Sequence, residues 1–243
     1  MSDSAPHIYQ LLLKHFGTQG WWPTSFSPQQ ISQYHSSPKI NKFSNQEQFE
    51  ICIGAILTQN TSWRNVFLAL TSLVKKDCLN PKKISDLTLI QLGKMIRSAG
   101  FYNQKAKKLK IFSNYILRHH QGKMKLFFNQ PFPILRKKLL AIYGIGPETA
   151  DSILLYAGGF PIFVVDAYTK RIGKRLGLFL FDSYEDIQNY FHKHLPPDAL
   201  LFNEYHALWV AHAKKFCKTK PFCSECPLKS ICKFYLTEYS SHP

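Results

Sequence analysis

Apolar side chains recur every three to four residues along most of the chain, the spacing that places them on one face of an α-helix. Capping residues and clusters of Pro and Gly separate these segments. No run of useful length alternates apolar and polar residues as a half-buried strand does. We therefore predict an all-α fold. The predicted helices span residues 8–16, 45–57, 63–75, 84–98, 103–118, 131–141, 147–157, 167–176, 184–194 and 199–215.

The longest stretch without a predicted helix covers residues 21–39 and is rich in Pro, Ser, Gln and Asn. Irregular segments of this length in compact domains are often functional. The most apolar run, 153–165, is interrupted by two Gly residues and a Pro, so we expect no membrane-spanning helix. The first residues lack the basic segment and apolar core of a secretory signal, and we expect the protein to remain in the cytoplasm.

The composition indicates a folded protein with a polyanionic partner. A chain of 243 residues that is 45% hydrophobic can form one large domain or two small ones. Its 31 Lys and Arg against 15 Asp and Glu leave a net charge of +16, which favours nucleic acid as the partner. An anionic membrane surface is the alternative, but the sequence offers neither a clear basic amphipathic helix nor a lipidation signal.

Four of the six cysteines crowd into residues 217–232 with C-x5-C-x2-C-x5-C spacing. Four thiolates within so short a span can close on one tetrahedral or cubane metal centre. Zinc is the generic alternative, although zinc sites usually contain two C-x2-C pairs and this cluster contains one. The remaining thiols, Cys52 and Cys78, are predicted to be ordinary helix residues. The cluster cysteines are Cys217, Cys223, Cys226 and Cys232.

A Gly-Ile-Gly turn joins the helices predicted at 131–141 and 147–157. We predict that Gly144 and Gly146 supply positive φ and close backbone approach, and that Pro147 opens the second helix. Backbone N–H groups at such a turn can bind a phosphate oxygen without reading the base sequence. The alternative is an αα-hairpin that serves packing only. The net charge favours DNA binding.

The stretch "GIGPETADSILLYAGGFPIFVVDAYTKRIGKRLGL" resembles the helix-hairpin-helix and catalytic-aspartate segment of the endonuclease III superfamily of DNA glycosylases. The resemblance implies a two-domain, all-α fold, with a six-helix barrel over 46–160 that contains the hairpin at about 135–157. It assigns 1–45 and 161–243 to a helical iron–sulfur domain. It also implies a monomer that binds damaged double-stranded DNA in the cleft between the two domains.

The catalytic aspartate of that superfamily follows the hairpin by about twenty residues, and Asp166 stands twenty residues after Gly146. A carboxylate suits the reaction, because cleavage of an N-glycosidic bond builds positive charge on the deoxyribose. It can also position or deprotonate the attacking water. Asp166 would in addition cap the helix predicted at 167–176, a role compatible with catalysis.

Members of the superfamily that also nick DNA carry a lysine in the helix after the hairpin, and this lysine forms a Schiff base with the sugar. Glu148 occupies the corresponding position here. Because a carboxylate cannot form an imine, we predict a monofunctional glycosylase without AP-lyase activity. An acid in the first turn of a helix also interacts favourably with the helix dipole.

The cysteines are also similar to those of the superfamily, although the first interval is one residue shorter than its commonest form. The resemblance implies a [4Fe–4S] cluster that organises a DNA-contacting loop without taking part in hydrolysis, and a monovalent cation at the hairpin. Lys218 and Lys220 in the first interval could contact the DNA backbone or simply form a solvated basic loop.

Three short stretches, "WWP", "GAILTQNTSW" and "AGFYNQKAKKL", resemble the bacterial 3-methyladenine DNA glycosylase branch of the superfamily. The resemblance implies a base pocket of Trp21, Pro23 and Trp63, with Gln59 filling the gap left by the flipped nucleotide and Phe101 wedging the stack. A cation over an indole face gains about 0.5–2 kcal/mol, which favours a cationic alkylated base over neutral adenine.

That branch lacks the cluster cysteines, so the chain combines features of two branches. An oxidised-pyrimidine or mismatch glycosylase is one alternative. A non-catalytic iron–sulfur DNA-binding protein, in which Asp166 is only a helix cap, is the other.

Overall fold

The computed structural model describes residues 5–25, 33–35 and 43–239. Over these ranges the chain is helical, and its only β-type pairing is a single bridge between Thr24 and Gln33. The all-α prediction is confirmed. The helices are α1 (Ala5–Phe16), α2 (Asn45–Leu57), α3 (Trp63–Lys75), α4 (Pro81–Asp86), α5 (Leu89–Met95), α6 (Tyr102–His120), α7 (Met124–Phe128), α8 (Phe132–Leu140), α9 (Pro147–Ser152), α10 (Ala167–Leu176), α11 (Tyr184–His194) and α12 (Ala199–Lys215).

Short 3-10 turns occur at Arg97–Ala99 and Lys229–Ile231, and π-helical turns at Ile153–Ala157 and Tyr235–Tyr239. The irregular segment predicted at 21–39 falls only partly within the described residues. No helix in the described part of the chain has the length and apolar character needed to cross a membrane.

Side-chain caps determine where several helices begin. Ser44 and Glu47 form a reciprocal capping box at the start of α2, and Ser183 and Asp198 cap α11 and α12. Such caps satisfy backbone N–H groups that have no partner within the helix. The bounds of α2, α3, α10, α11 and α12 coincide with those predicted from the sequence, and all of these helices except α3 begin with a side-chain cap.

The single helix predicted at 84–98 is wrong, because the chain divides there into α4, α5 and a 3-10 turn. Leu87 is extended, with ψ 143°, and Thr88 then starts a new capping box with Gln91. Helix α7 was missed as well, since its five residues are too few to establish a helical period.

The described chain divides into two compact units. The hairpin unit comprises residues 22–25, 33–35 and 43–160, and the cysteine unit comprises residues 5–21 and 161–239. This division differs from the predicted boundary at residue 46, because Trp22 is buried against Trp63 and Tyr156 inside the hairpin unit. In the cysteine unit, Phe163 stacks on Phe191 with ring centroids 3.9 Å apart.

Candidate functional site

The hairpin turn between α8 and α9 depends on one of its two glycines. Gly144 has φ 83°, and a Cβ built on it would lie 2.6 Å from the side chain of Lys108. The prediction that Gly146 also supplies positive φ is wrong, because it is extended, with φ −94° and ψ −179°. Apart from its chain neighbours, no atom of the described residues lies within 4 Å of a Cβ built on Gly146, so the backbone is open there at the start of α9.

A buried ion pair joins the two helices of the hairpin. Arg136 on α8 donates from Nε to Oδ1 of Asp151 at 2.7 Å, and its terminal nitrogen donates to Oδ2 at 3.0 Å. The Asp151 side chain is fully buried. A bidentate pair of this kind fixes both distance and orientation, so it holds α8 and α9 at the angle that forms the turn.

Gln59, the predicted gap-filling residue, is hydrogen-bonded to the hairpin. Its Nε2 donates to the carbonyl of Gly144 and to Oγ1 of Thr149, both at 2.9 Å. Lys108 donates to its Oε1. These residues line a cavity of about 560 Å³ that also includes the exposed side chain of Glu148. The hairpin unit thus brings together three features predicted separately: the phosphate-binding turn, the gap filler and the lyase-lysine position.

Phe101, the predicted wedge, protrudes from the loop before α6. Its side chain is 63% exposed. Both Phe101, with φ 45°, and the preceding Gly100, with φ 67°, adopt left-handed conformations. A left-handed aromatic residue is strained, and such strain persists only where neighbouring contacts impose it. The left-handed conformation of this exposed aromatic residue therefore lowers the stability of the fold.

The aromatic residue that meets Trp63 is Trp22. Their rings are perpendicular with centroids 5.3 Å apart, and Trp22 also contacts Tyr156 at 5.1 Å. Trp21, named in the predicted pocket, is half-buried and belongs to the cysteine unit. The sequence named Trp21 for the pocket and left open that Trp22 packs onto the helical core, because adjacent tryptophans carry no signal of which one packs inward. Tyr156 was missed.

Two buried carboxylates of α2 anchor the segment that contains Trp22 and Pro23. Glu50 accepts hydrogen bonds from the backbone N–H of Ser25 at 2.9 Å and from its hydroxyl at 3.0 Å. Glu47 accepts from the hydroxyl of Thr24 at 3.0 Å. Pro23 is buried beside these anchored residues. The segment is therefore held on the surface of α2 by polar contacts as well as by the indole.

Asp166 is the N-cap of α10 in the cysteine unit, as the sequence indicates. Its Oδ1 accepts from the backbone N–H of Thr169 at 2.7 Å and from its hydroxyl at 2.9 Å. The other oxygen, Oδ2, lies 3.6 Å from Nε2 of His206 on α12. The Asp166 side chain is 14% exposed, so it is largely buried but still accessible to solvent.

These contacts determine the charge of Asp166. Burial, the largest influence, raises its pKa, but His206 and Thr169 together outweigh burial and hold the pKa below its ordinary value. The carboxylate is therefore ionised at neutral pH in a largely dry environment. His206 was not found from the sequence, because forty residues separate it from Asp166 and no local pattern links them.

All four clustered cysteines line one cavity in the cysteine unit. Burial raises the pKa values of the Cys223, Cys226 and Cys232 thiols, so a bound metal would be needed to hold them as thiolates. In number and chemistry the donors fit a metal centre. No three His, Cys, Asp or Glu side chains of the described residues, however, converge closely enough to hold an ion.

Arginines of α10 hold the loop that follows Cys217. Arg171 donates to the carbonyl of Cys217 at 2.9 Å. Arg175 donates to the carbonyls of Lys218 at 2.6 Å and Thr219 at 2.9 Å. The side chains of Lys218 and Lys220 are exposed. The loop backbone is thus fixed to the helix that Asp166 caps, while its lysines face solvent.

The chain matches proteins whose names concern DNA repair. The model of the HhH-GPD superfamily of base excision DNA repair proteins matches residues 53–197. A Methanocaldococcus jannaschii protein, provisionally assigned as a DNA repair glycosylase, is 42% identical over 93% of this chain and 94% of its own length. Endonuclease III of Sulfolobus acidocaldarius is 33% identical over 77% of this chain and 82% of its own.

Two solved structures are similar along most of their length. The crystal structure of H. pylori 3-methyladenine DNA glycosylase bound to 1,N6-ethenoadenine has a TM-score of 0.67 and 30% identity, covering 86% of this chain and 96% of that one. A non-covalent endonuclease III–DNA complex has a TM-score of 0.74 at 21% identity, covering 97% and 96%. The second similarity concerns the fold alone.

Proposed function

Because the chain belongs to the HhH-GPD superfamily of base excision DNA repair proteins, we propose that it is a monofunctional DNA glycosylase that removes alkylated purines such as 3-methyladenine. The observation that supports this most directly is Asp166. It is a nearly buried carboxylate, kept ionised by Thr169 and His206, at the position where the superfamily has its catalytic aspartate. The substrate is double-stranded DNA that contains a damaged base.

In this proposal Asp166 stabilises the positive charge that develops on the deoxyribose as the N-glycosidic bond breaks. The same carboxylate orients the attacking water and accepts its proton. Thr169 and His206 position the carboxylate before the reaction, so little reorganisation is needed as charge develops. An ionised group in a largely water-excluded place acts more strongly than one in bulk water.

The hairpin unit supplies the DNA contacts. Open backbone N–H groups at Gly146 and the start of α9 bind a phosphate, and the turn carbonyls accommodate a monovalent cation. Gln59 fills the gap left by the flipped nucleotide, and Phe101 wedges into the base stack. Lys218 and Lys220 of the cysteine unit add backbone contacts, which should make binding strongly salt-dependent.

Base selection rests on stacking against indole rings. Trp63 is only partly buried, and Trp22 packs against its ring and fixes its orientation. A cationic alkylated purine over an indole face gains about 0.5–2 kcal/mol, which neutral adenine does not obtain. The similar H. pylori enzyme is a 3-methyladenine glycosylase, solved with 1,N6-ethenoadenine. By the same resemblance, Trp21 and Pro23 are proposed as further residues that contact the base.

The cysteines are proposed to hold a [4Fe–4S] cluster. Cys217, Cys223, Cys226 and Cys232 would be its ligands, and the bound cluster would supply structural cross-linking of this loop region. Arg171 and Arg175 already hold the loop after Cys217, so the cluster would complete an ordered support for Lys218 and Lys220. Anaerobically purified wild type should contain about four irons, and Cys226→Ser should lose them. A full complement of zinc without iron would contradict the assignment.

A panel of damaged duplexes tests the activity. Methylated, oxidised and uracil-containing duplexes are incubated with excess enzyme, and the released bases are separated and identified. Release of 3-methyladenine with intact strands supports the proposal. Release of oxidised or mismatched pyrimidines instead would support the alternative, an oxidised-pyrimidine or mismatch glycosylase. No release from any duplex would contradict the glycosylase activity.

A gain-of-function variant tests the monofunctional assignment. Wild type should give no borohydride-trapped covalent adduct with an abasic duplex, because Glu148 offers no amine. Glu148→Lys should give a trapped adduct if residue 148 lies at the position of the lyase lysine. Glu148→Gln is the matched control and should give none. A trapped adduct with wild type would contradict the assignment.

A further inference from the structure

Lys105 of α6 is a buried cation that the proposed mechanism does not use. The residue is 2% exposed. Its Nζ donates to the carbonyl of Leu57 at 2.9 Å and to the carbonyl of Ala99 at 2.7 Å. No carboxylate in the described part of the chain forms an ion pair with it. Burial, with a smaller effect from Lys108, lowers its pKa to about 8.

The two carbonyls that bind Lys105 end two separate helical segments. Leu57 is the last residue of α2, and Ala99 is the last residue of the 3-10 turn. Carbonyls at the end of a helix lack partners within the helix and carry partial negative charge, which favours a cation. One ammonium group therefore binds the C-terminal ends of two helical segments that are more than forty residues apart in the sequence.

The last residue of each helical segment lies two residues before a side chain that is proposed to enter the DNA. Leu57 precedes Gln59, and Ala99 precedes Phe101. Phe101 sits in a strained left-handed conformation, which requires support from its surroundings. Lys108, one turn further along α6, donates to the side chain of Gln59 itself. One face of α6 therefore contacts both the loop that carries Gln59 and the loop that carries Phe101.

We propose that Lys105 is a positioning residue that sets the separation between the wedge, Phe101, and the gap filler, Gln59. The two side chains must enter the same lesion site together, so their spacing matters as much as their presence. A misplacement of about 1 Å at such a site can cost on the order of 100-fold in rate. This inference rests on the proposed DNA glycosylase function.

The helix offers a matched control in Lys110. Its ammonium also donates to two backbone carbonyls, those of Ser85 and Leu87, near the end of α4. Neither carbonyl belongs to a loop that carries Gln59 or Phe101. Lys105→Met and Lys110→Met therefore remove the same kind of contact from the same helix, and only the first should affect DNA penetration. Lys105→Arg retains a charged donor for both carbonyls.

The experiment measures base unstacking by fluorescence. The probe is a duplex with a tetrahydrofuran abasic analogue beside a 2-aminopurine, whose fluorescence rises when the base leaves the stack. We expect wild type, Lys110→Met and Lys105→Arg to give the full rise at saturating protein, and Lys105→Met to lose most of it. Binding of undamaged duplex should stay within about threefold, because phosphate contacts dominate it.

Two outcomes would overturn the inference. One is a full fluorescence rise with Lys105→Met. The other is an equal loss with both Met variants that follows their thermal unfolding midpoints, which would mean a purely structural role. Base release by wild type is measured separately on the lesion panel. Its absence would contradict the proposed function, while the fluorescence comparison of the two Met variants would still decide the role of Lys105.

Discussion

Each unit of the molecule holds a charged group against a helix end, Lys105 in the hairpin unit and Asp166 in the cysteine unit, and the two groups differ in sign. In the hairpin unit, Lys105 lies at the C-terminus of α2, and its hydrogen bonds within the described residues go to the backbone carbonyls of Leu57 and Ala99. In the cysteine unit, Asp166 lies at the N-terminus of α10 and contacts both backbone and side-chain donors. The sign of each charge follows the helix dipole.

The difference lies in what surrounds each charge. Lys105 is almost fully enclosed and its pKa is lowered, so its surroundings disfavour the charge while using its hydrogen bonds. Asp166 keeps a small opening to solvent, and its pKa is held below the ordinary value, so its surroundings favour the charge. An enclosed charge suits the support of loops, whereas a stabilised and partly accessible charge suits chemistry on a substrate.

Neutralising Asp166 should have the largest effect on activity. Asp166→Asn should reduce single-turnover base release by roughly 10²- to 10⁴-fold, because in the proposed mechanism the ionised carboxylate acts in the reaction. Asn caps a helix about as well as Asp, so the thermal midpoint should change little. Unchanged release from every lesion that wild type processes would make Asp166 a helix cap only.

Removing the partner of the buried Asp151 carboxylate should have the largest effect on stability. Asp151 is neutralised by Arg136 rather than by a helix end, so Arg136→Ala would leave a buried carboxylate without its guanidinium. We expect the free energy of unfolding, measured with urea, to fall by about 3–5 kcal/mol. The exposed pair of Lys174 and Asp182 provides the control, and Lys174→Ala should change the free energy of unfolding far less, because solvent screens an exposed pair. Equal losses of unfolding free energy in the two variants would mean that burial of Asp151 does not strengthen the effect of losing its partner.

Replacing His206 should change how Asp166 responds to pH. Without His206, burial dominates and the pKa of Asp166 rises, so protonation occurs at higher pH on acidification. The acid limb of base release by His206→Phe should therefore move to higher pH, with about a tenfold lower rate on that limb and convergence with wild type near pH 8. His206→Gln, which retains a donor, should restore part of the shift. Superimposable pH profiles would exclude His206 as a positioning residue.

The smallest expected effect concerns the pH dependence of stability. The pKa of Lys105 falls from 10.5 to about 8 on folding, so between these values the unfolded chain binds more protons. Stability of wild type relative to Lys105→Met should therefore rise with pH across this window, on the order of 1–3 kcal/mol. The lowered pKa of Asp166 acts in a different window, since its stabilisation is lost only as acid pH falls through that pKa.

Much of the architecture was accessible from the sequence, because it depends on neighbours within a few residues. Apolar periodicity and caps such as Ser183 located five helices at their observed bounds. The spacing from the hairpin to Asp166, and the grouping of the cysteines, are likewise short-range features. Where local signals were weak, as in the five residues of α7 or the break at Leu87, the prediction was incomplete.

Only the tertiary structure decided which distant residues act together. Nothing near Asp166 in the chain indicates His206, and nothing local connects Lys105 to the carbonyl of Leu57. Likewise, which of two adjacent tryptophans meets Trp63 depends on the packing of α2 and the hairpin unit. The sequence by itself determined most of the helices and the residue types that are candidates for the chemistry. Which distant residues come into contact depends on how remote segments pack and form hydrogen bonds in the folded chain. The local sequence pattern carries no information about these contacts.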